Sequence, residues 1–375
     1  MDLTQLLQEL TKGLGNLTPG NVLMIVAGVV LVALAVIKEY EPVLLLPIGF
    51  GAVLANIPLS GMTEEGGLFG VLYAAGIRTE LFPLLIFVGV GAMIDFSPLL
   101  SQPRMVLLGA AGQFGIFGTL LLATLIGFPL NEAASIGVIG AIDGPTSIFV
   151  ATKLAPELLA PIAVAAYSYM SLIPIIQPPI MRLMTSREER MIRMDYAPRP
   201  VSKRALILFP IVITLVIGLL VPDATALISM LMLGNLLKVS GVVDRLSKAA
   251  QNEIINIATL FLGLTIGATM TASSFIRWDT AMVLGLGLLA FVLDTVAGLL
   301  FGKLMCRLSG RKINPLIGAA GISAFPMAGR LAAKMAQDES FDNYILMHAM
   351  GANTAGQLGS VAAGGVLLAL VSGFM

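Results

Sequence analysis

The chain has 375 residues, of which 57% are hydrophobic and only 12% charged, with 22 Lys and Arg balancing 22 Asp and Glu. Soluble domains carry about 25% charged residues, so this composition belongs to a membrane protein, and the neutral net charge offers no footprint for nucleic acid. A single cysteine, Cys306, excludes an intrachain disulfide, and a single histidine, His348, excludes a multi-histidine metal site.

In chain order, the opening "MDLTQLLQELTKGLGNLTPG" sets Leu3, Leu6, Leu7 and Leu10 in an amphipathic pattern. It lacks the basic start and continuous apolar core of a secretory signal, so residues 1–20 read as an interfacial segment. Apolar spans are expected at 21–38, 42–59, 81–101, 105–128 and 157–184, then at 205–222, 223–240, 256–274, 279–301 and 341–373. Two further apolar stretches, 131–152 and 312–335, are interrupted by Asp, Gly and Pro or by Asn-Pro, Gly and Pro. Each is the second-to-last apolar unit of its half, and "GVIGAIDGP" and "GAAGISAFP" are similar lead-ins to Pro145 and Pro326. The organisation predicted is a first membrane repeat at 21–184, a basic linker at 185–204 and a second repeat at 205–375.

The linker carries Arg187, Arg190, Arg193, Arg199, Lys203 and Arg204 against three acids, which places it in the cytoplasm. Threading outward puts the basic loop at 302–312 inside and Glu64, Glu65 and Glu80 outside, provided the two interrupted stretches are re-entrant. The fold expected is therefore an all-α polytopic membrane protein with about ten crossings in two inverted repeats, each holding a broken or re-entrant segment. If both stretches cross fully, the repeats are parallel instead.

"GAIDGPTSIF" (140–149) puts Asp143 at membrane depth beside a helix-breaking Gly-Pro pair. A carboxylate there is costly: it either caps a half-helix beneath "GPTS", solvated in a vestibule, or is kept because it binds an ion or a proton. Thr146 and Ser147 add hydroxyl oxygens, so the stretch offers a hard monovalent cation several oxygen types. The second stretch supplies Asn314, Gly318, Ser323 and Arg330. Tyr169 and Asn353 occupy similar positions on the spans that follow, and Asp294 is a secondary buried candidate.

"GAIDGPTSIF", "INPLIGAAGISAFPMAGR", "HAMGANTAGQLGS" and the early "KEYEPVLLLPIGFGAVLANIP" together resemble the β subunit of sodium-pumping biotin-dependent decarboxylases, in the same order and over essentially the whole chain. The resemblance implies a cell-membrane subunit that decarboxylates carboxybiotin, consumes a proton and moves Na⁺ outward. It implies that Asp143 binds Na⁺ and exchanges protons, that Asn314, Gly318 and Ser323 belong to the ion pathway, and that Tyr169, Arg330 and Asn353 support the coupled sites. Arg330 would meet the incoming carboxylate. Its partners would be a soluble carboxyltransferase subunit, a biotin carrier, a small membrane-anchored subunit and further copies of this chain. "AAKM" at 332–335 lacks the first Met of a biotin-acceptor sequence, so biotin is expected on another polypeptide. The competing readings are a Na⁺/H⁺ antiporter using Asp143 and a Na⁺-coupled carboxylate symporter using Arg330.

Overall fold

The computed structural model describes residues 3–194 and 200–373, with side chains from residue 9 onward. Asp195 and Arg199 of the linker lie outside the described residues. Every regular element among the described residues is helical. Seven helices are long and apolar enough to cross a membrane, or eight if the pair Leu68–Ile77 and Leu81–Met93, bent by 59°, forms one span. The chain is an all-α, multi-pass membrane protein.

Helix α1 (Leu3–Gly15) precedes α2 (Pro19–Ile37), α3 (Pro42–Ala55), α4 (Leu81–Met93), α5 (Phe114–Ile126), α6 (Leu130–Gly137), α7 (Gly144–Leu154) and α8 (Leu159–Met184). After the linker come α9 (Lys203–Leu220), α10 (Thr225–Ser240), α11 (Ile255–Ala268), α12 (Trp278–Leu308), α13 (Leu316–Ala319), α14 (Met327–Glu339) and α15 (Leu346–Ser372). Local chemistry sets several of these boundaries. Thr18 caps α2 reciprocally with Asn21, its hydroxyl accepting from the Asn21 N–H at 3.2 Å, and Pro19 follows where its missing N–H costs nothing. The span expected at 42–59 stops at Ala55 because the Asn56 amide turns back to the carbonyls of Ala52 and Met270, each at 2.8 Å. The span expected at 81–101 breaks after Met93, where Asp95 accepts from the Ser97 N–H at 2.9 Å and starts a separate short helix. The one expected at 256–274 ends at Ala268, and that expected at 279–301 runs on to Leu308.

α2 and α9 are the most peripheral of the long apolar helices, with only Met24, Gly28 and Ala35 buried on one and Pro210 on the other. Inside them, α3 packs on α11 and α10 packs on α4 through paired glycines. A side-chain carbon on Gly51 would collide with the Leu264 carbonyl, and one on Gly267 with that of Ile48. The same pattern recurs with Gly234 against Val88 and Gly91 against Leu231. In each pair the glycine lies three residues past the carbonyl that its partner meets, so the two contacts have one geometry. Lipid tails are as apolar as leucine, so close backbone approach rather than hydrophobic burial holds such helices together.

Both interrupted stretches are hairpins whose ends meet. Asn131 donates to the Leu154 carbonyl at 2.8 Å, closing the first. Asn314 and Asn343 donate to one carbonyl, that of Arg190, at 2.8 and 3.0 Å, closing the second onto the linker.

Candidate functional site

The site is built where the two hairpins cross. α6 ends in a tight turn over Val138–Ala141, and Ile142 then adopts φ 53°, ψ 45°, a left-handed conformation that strains a β-branched residue. This reversal puts Asp143 at the N-cap of α7. Its backbone neighbour Ala141 accepts from the Ser323 N–H at 3.1 Å, so the two broken stretches touch through main chain.

The Asp143 carboxylate is 4% exposed and crowded on one oxygen. Oδ2 accepts from Thr146 Oγ1 at 2.8 Å, Gln357 Nε2 at 2.7 Å and Ser360 Oγ at 2.7 Å, while Oδ1 accepts from the Thr146 N–H at 3.3 Å. Two of those donors come from α15, in the other half of the chain. Four donors and the positive end of α7 offset part of the cost of holding an ionised carboxylate away from water. Each side-chain donor can also turn an oxygen toward a cation: a hydroxyl rotates, and the Gln357 amide carries its own carbonyl.

Asp143 opens onto a cavity of about 200 Å³. Its apolar wall includes Val43, Leu44, Ile86, Val90 and Met170, and its polar lining includes Tyr167, Ser323 and Gln357. The Tyr167 hydroxyl is buried without a hydrogen-bond partner, its ring lying against Gly144 so that a carbon on that glycine would sit 2.7 Å from the oxygen.

Of the residues expected from sequence, Asp143 and Ser323 share this cavity. The Ser323 hydroxyl donates to the Gly356 carbonyl at 2.8 Å. Asn353 lies just behind, donating to the Ile322 carbonyl at 2.6 Å with its own oxygen unpartnered. The other four lie elsewhere. Tyr169 points away, its hydroxyl donating to the Leu284 carbonyl of α12. Asn314 fastens the linker, and Gly318 packs against Gly298 and Gly302 of α12. Arg330 is exposed on α14 and does not line the cavity. Asp294 is a separate fully buried carboxylate that accepts from the Gly115 N–H. Tyr167, Gln357 and Ser360 were not among the site residues expected from sequence. The spacing of Gln357 and Ser360 from Asn353, four and seven residues along one helix, was a signal that these share a face.

No cluster of three or more His, Cys, Asp or Glu able to hold a metal occurs among the described residues. The site is instead a mixed-oxygen shell around one carboxylate at a helix break, the arrangement by which membrane transporters hold monovalent ions and protons. This defines a multi-pass membrane protein with a buried carboxylate between two broken hairpins. The chain belongs to the family described as the Na⁺-transporting oxaloacetate decarboxylase β subunit, whose sequence profile matches residues 20–371. It is 51% identical to the glutaconyl-CoA decarboxylase subunit β of Acidaminococcus fermentans, covering 99% of this chain and 98% of that one. It is 53% identical to the methylmalonyl-CoA decarboxylase subunit β of Veillonella parvula (95% and 94%) and 45% identical to the oxaloacetate decarboxylase β chain of Klebsiella pneumoniae (97% and 99%).

Proposed function

We propose that this chain is the membrane subunit of a decarboxylase complex, releasing CO₂ from carboxybiotin while carrying Na⁺ outward across the cell membrane. The observation that carries this reading is the Asp143 carboxylate, buried where the two hairpins cross and held by side chains from both halves. Relatives that act on three different acids or acyl-CoA esters are similar over nearly full length. The substrate is therefore chosen by another subunit, and this chain meets only the common carboxybiotin. A soluble carboxyltransferase, a biotin carrier and a small membrane-anchored subunit are the partners, and the chain assembles with further copies of itself.

The cavity suits a biotin head: apolar walls flank an unpartnered Tyr167 hydroxyl and the Asp143 carboxyl. Carboxybiotin supplies the carboxyl group that leaves as CO₂, and the ureido nitrogen left behind needs one proton. Asp143 and Tyr167 are the groups that hold that proton in the cavity. Na⁺ and H⁺ compete for the same carboxylate. With Na⁺ bound, Thr146, Ser360 and Gln357 turn oxygens toward the ion; once it leaves, they return their hydrogens to the carboxylate. Ser323 and Asn353 line the continuation of the pathway, and Asn314, Gly318 and Tyr169 hold its frame. Arg330, on the exposed face of α14, meets the carrier that brings the carboxylate. Movement of the hairpins against the paired α3–α11 and α4–α10 helices gives alternating access.

The test is purification of the complex through a tag on this chain, with assay of Na⁺-dependent CO₂ release and ²²Na⁺ uptake after reconstitution. A biotinylated polypeptide should co-purify. Its absence, with Na⁺/H⁺ exchange by the chain alone, would exclude the decarboxylase.

A further inference from the structure

Beside the Tyr167 hydroxyl already given a proton to hold, the cavity presents three further polar side chains that the mechanism above leaves unused. Glu41, Asn256 and Thr259 line it together with Tyr167. None of these four side chains makes a hydrogen bond or ion pair among the described residues, in contrast to the mutually bonded groups around Asp143.

They converge from three elements. Glu41 stands at the turn between α2 and α3 with φ 37°, a left-handed conformation, and its side chain caps nothing. Asn256 and Thr259 are three residues apart on α11 and so share one face. Tyr167 comes from α8, buried at 4% exposure, and its hydroxyl is within electrostatic reach of both Glu41 and Asp143. Burial pushes the Glu41 carboxyl up from its ordinary value, so leaving it without a partner costs free energy. A cation would relieve that cost, and the amide, the hydroxyl and the phenol supply neutral oxygens to complete its shell.

We infer that Glu41, Asn256, Thr259 and the Tyr167 hydroxyl form a second monovalent-cation station in the same cavity, taking Na⁺ before it passes to Asp143. This rests on the Na⁺-carrying function proposed above. In the orientation proposed for the chain, the α2–α3 turn faces the cytoplasm, so this station stands on the entry side. Tyr167 touches both stations and hands the ion from one to the other.

The experiment uses the assembled complex and compares wild type, Asp143→Asn, Glu41→Gln and Thr259→Val. Decarboxylation is followed against Na⁺ concentration, and ²²Na⁺ bound per chain is measured at equilibrium. Losing a charged ligand should raise the half-saturating Na⁺ concentration of Glu41→Gln about tenfold and remove one class of bound ²²Na⁺. Thr259→Val, which keeps shape and loses one neutral oxygen, should give a smaller rise, roughly threefold. Repeating the titration in choline chloride distinguishes coordination from surface attraction, because only the latter is screened away. The station is overturned if Glu41→Gln and Thr259→Val both keep the wild-type Na⁺ response and ²²Na⁺ count, or if the Glu41→Gln defect vanishes at high choline chloride. Failure of the underlying function looks different: wild type itself would show no Na⁺ dependence, or Asp143→Asn would behave like wild type.

Discussion

Asp143 receives three side-chain donors on a single oxygen, and this crowding ranks what each neighbour contributes. Asp143→Asn keeps the shape and can still accept on its amide oxygen, so the protein should fold and insert. It cannot exchange Na⁺ for H⁺, and both CO₂ release and ²²Na⁺ uptake should be lost in the reconstituted complex; near-normal transport would remove Asp143 from the mechanism. Ser360→Ala removes a hydrogen bond to a charged group, worth about 1.5–3 kcal/mol, so half-saturating Na⁺ should rise by roughly ten- to a hundredfold. Ser323→Ala should do less. The Gly356 carbonyl it abandons also accepts from Gln113 at 3.3 Å, so no orphan acceptor remains. A Na⁺ titration of CO₂ release for the two variants reads the order directly, and equal shifts would contradict it. Asp143 was legible in the sequence because a carboxylate beside Gly-Pro is too costly at membrane depth unless it binds an ion or a proton. The choice between Tyr167 and Tyr169 was not. Two residues apart on a helix of 3.6 residues per turn, they point to nearly opposite faces, and only the packing decides which face meets the cavity.

At the scale of elements, Gly and Pro announced both breaks, but not how the chain would turn. The first reversal falls on Ile142, a residue whose type gives no warning of a left-handed backbone. The ends of the second hairpin were equally hidden, because they are fixed by the linker rather than by their own sequence. Arg190 pairs with Glu339 at the end of α14 at 2.6 Å, and Arg187 adds a second contact to the same carboxylate at 3.3 Å. The Arg190 guanidinium, through its hydrogen bond and charge, holds the Glu339 carboxyl below its ordinary 4.5. A depressed carboxylate stabilises the folded form fully above that ordinary value, and the contribution is lost as pH falls through the lower, folded one. The linker should therefore stay fastened at neutral pH and loosen in acid. Glu339→Gln should produce the loosening at neutral pH, seen as faster trypsin cleavage after Arg190 by mass spectrometry. Cleavage at the wild-type rate would mean that the tie is carried by Asn314 and Asn343 alone. Between the paired helices, Gly91→Ala would force a carbon into the Leu231 carbonyl, an overpacking that costs about 1–3 kcal/mol. Its melting temperature in detergent should fall, and an unchanged value would show that α4 and α10 can separate freely.

For the whole molecule, the all-α membrane class was legible in the sequence, because apolar length is a compositional signal. The glycine correspondence between the halves was not legible there; it depends on which carbonyl each glycine meets across a helix pair. We propose from those matched contacts and the hairpin closures that the halves are two related, inverted repeats. Starting from the linker, α8 leads to the far side, where Asn131 closes on Leu154 and Lys153 pairs with Glu80 at 3.4 Å. In the other direction, on the same proposed count, four crossings return the chain to the linker side. There Lys303 donates to the Met184 carbonyl at 3.0 Å and pairs with Glu189 at 3.3 Å. On that proposed reading the first half makes five crossings, which takes shorter helices such as α3 besides the seven or eight long apolar ones of the described residues. With a re-entrant hairpin on each side, the halves are then oppositely oriented and the basic linker is in the cytoplasm. Single cysteines at positions 192, 309 and 65 test this in a background where buried Cys306 is replaced. In right-side-out vesicles a membrane-impermeant maleimide should label position 65 and spare 192 and 309, and in inverted vesicles the pattern should reverse. The decisive comparison is 192 with 309. Both lie on the linker side only if the first-half hairpin does not add a crossing and the second half crosses four times before Ser309. Labelling of those two positions from opposite faces would break the count and, with it, the inverted arrangement proposed for the two halves.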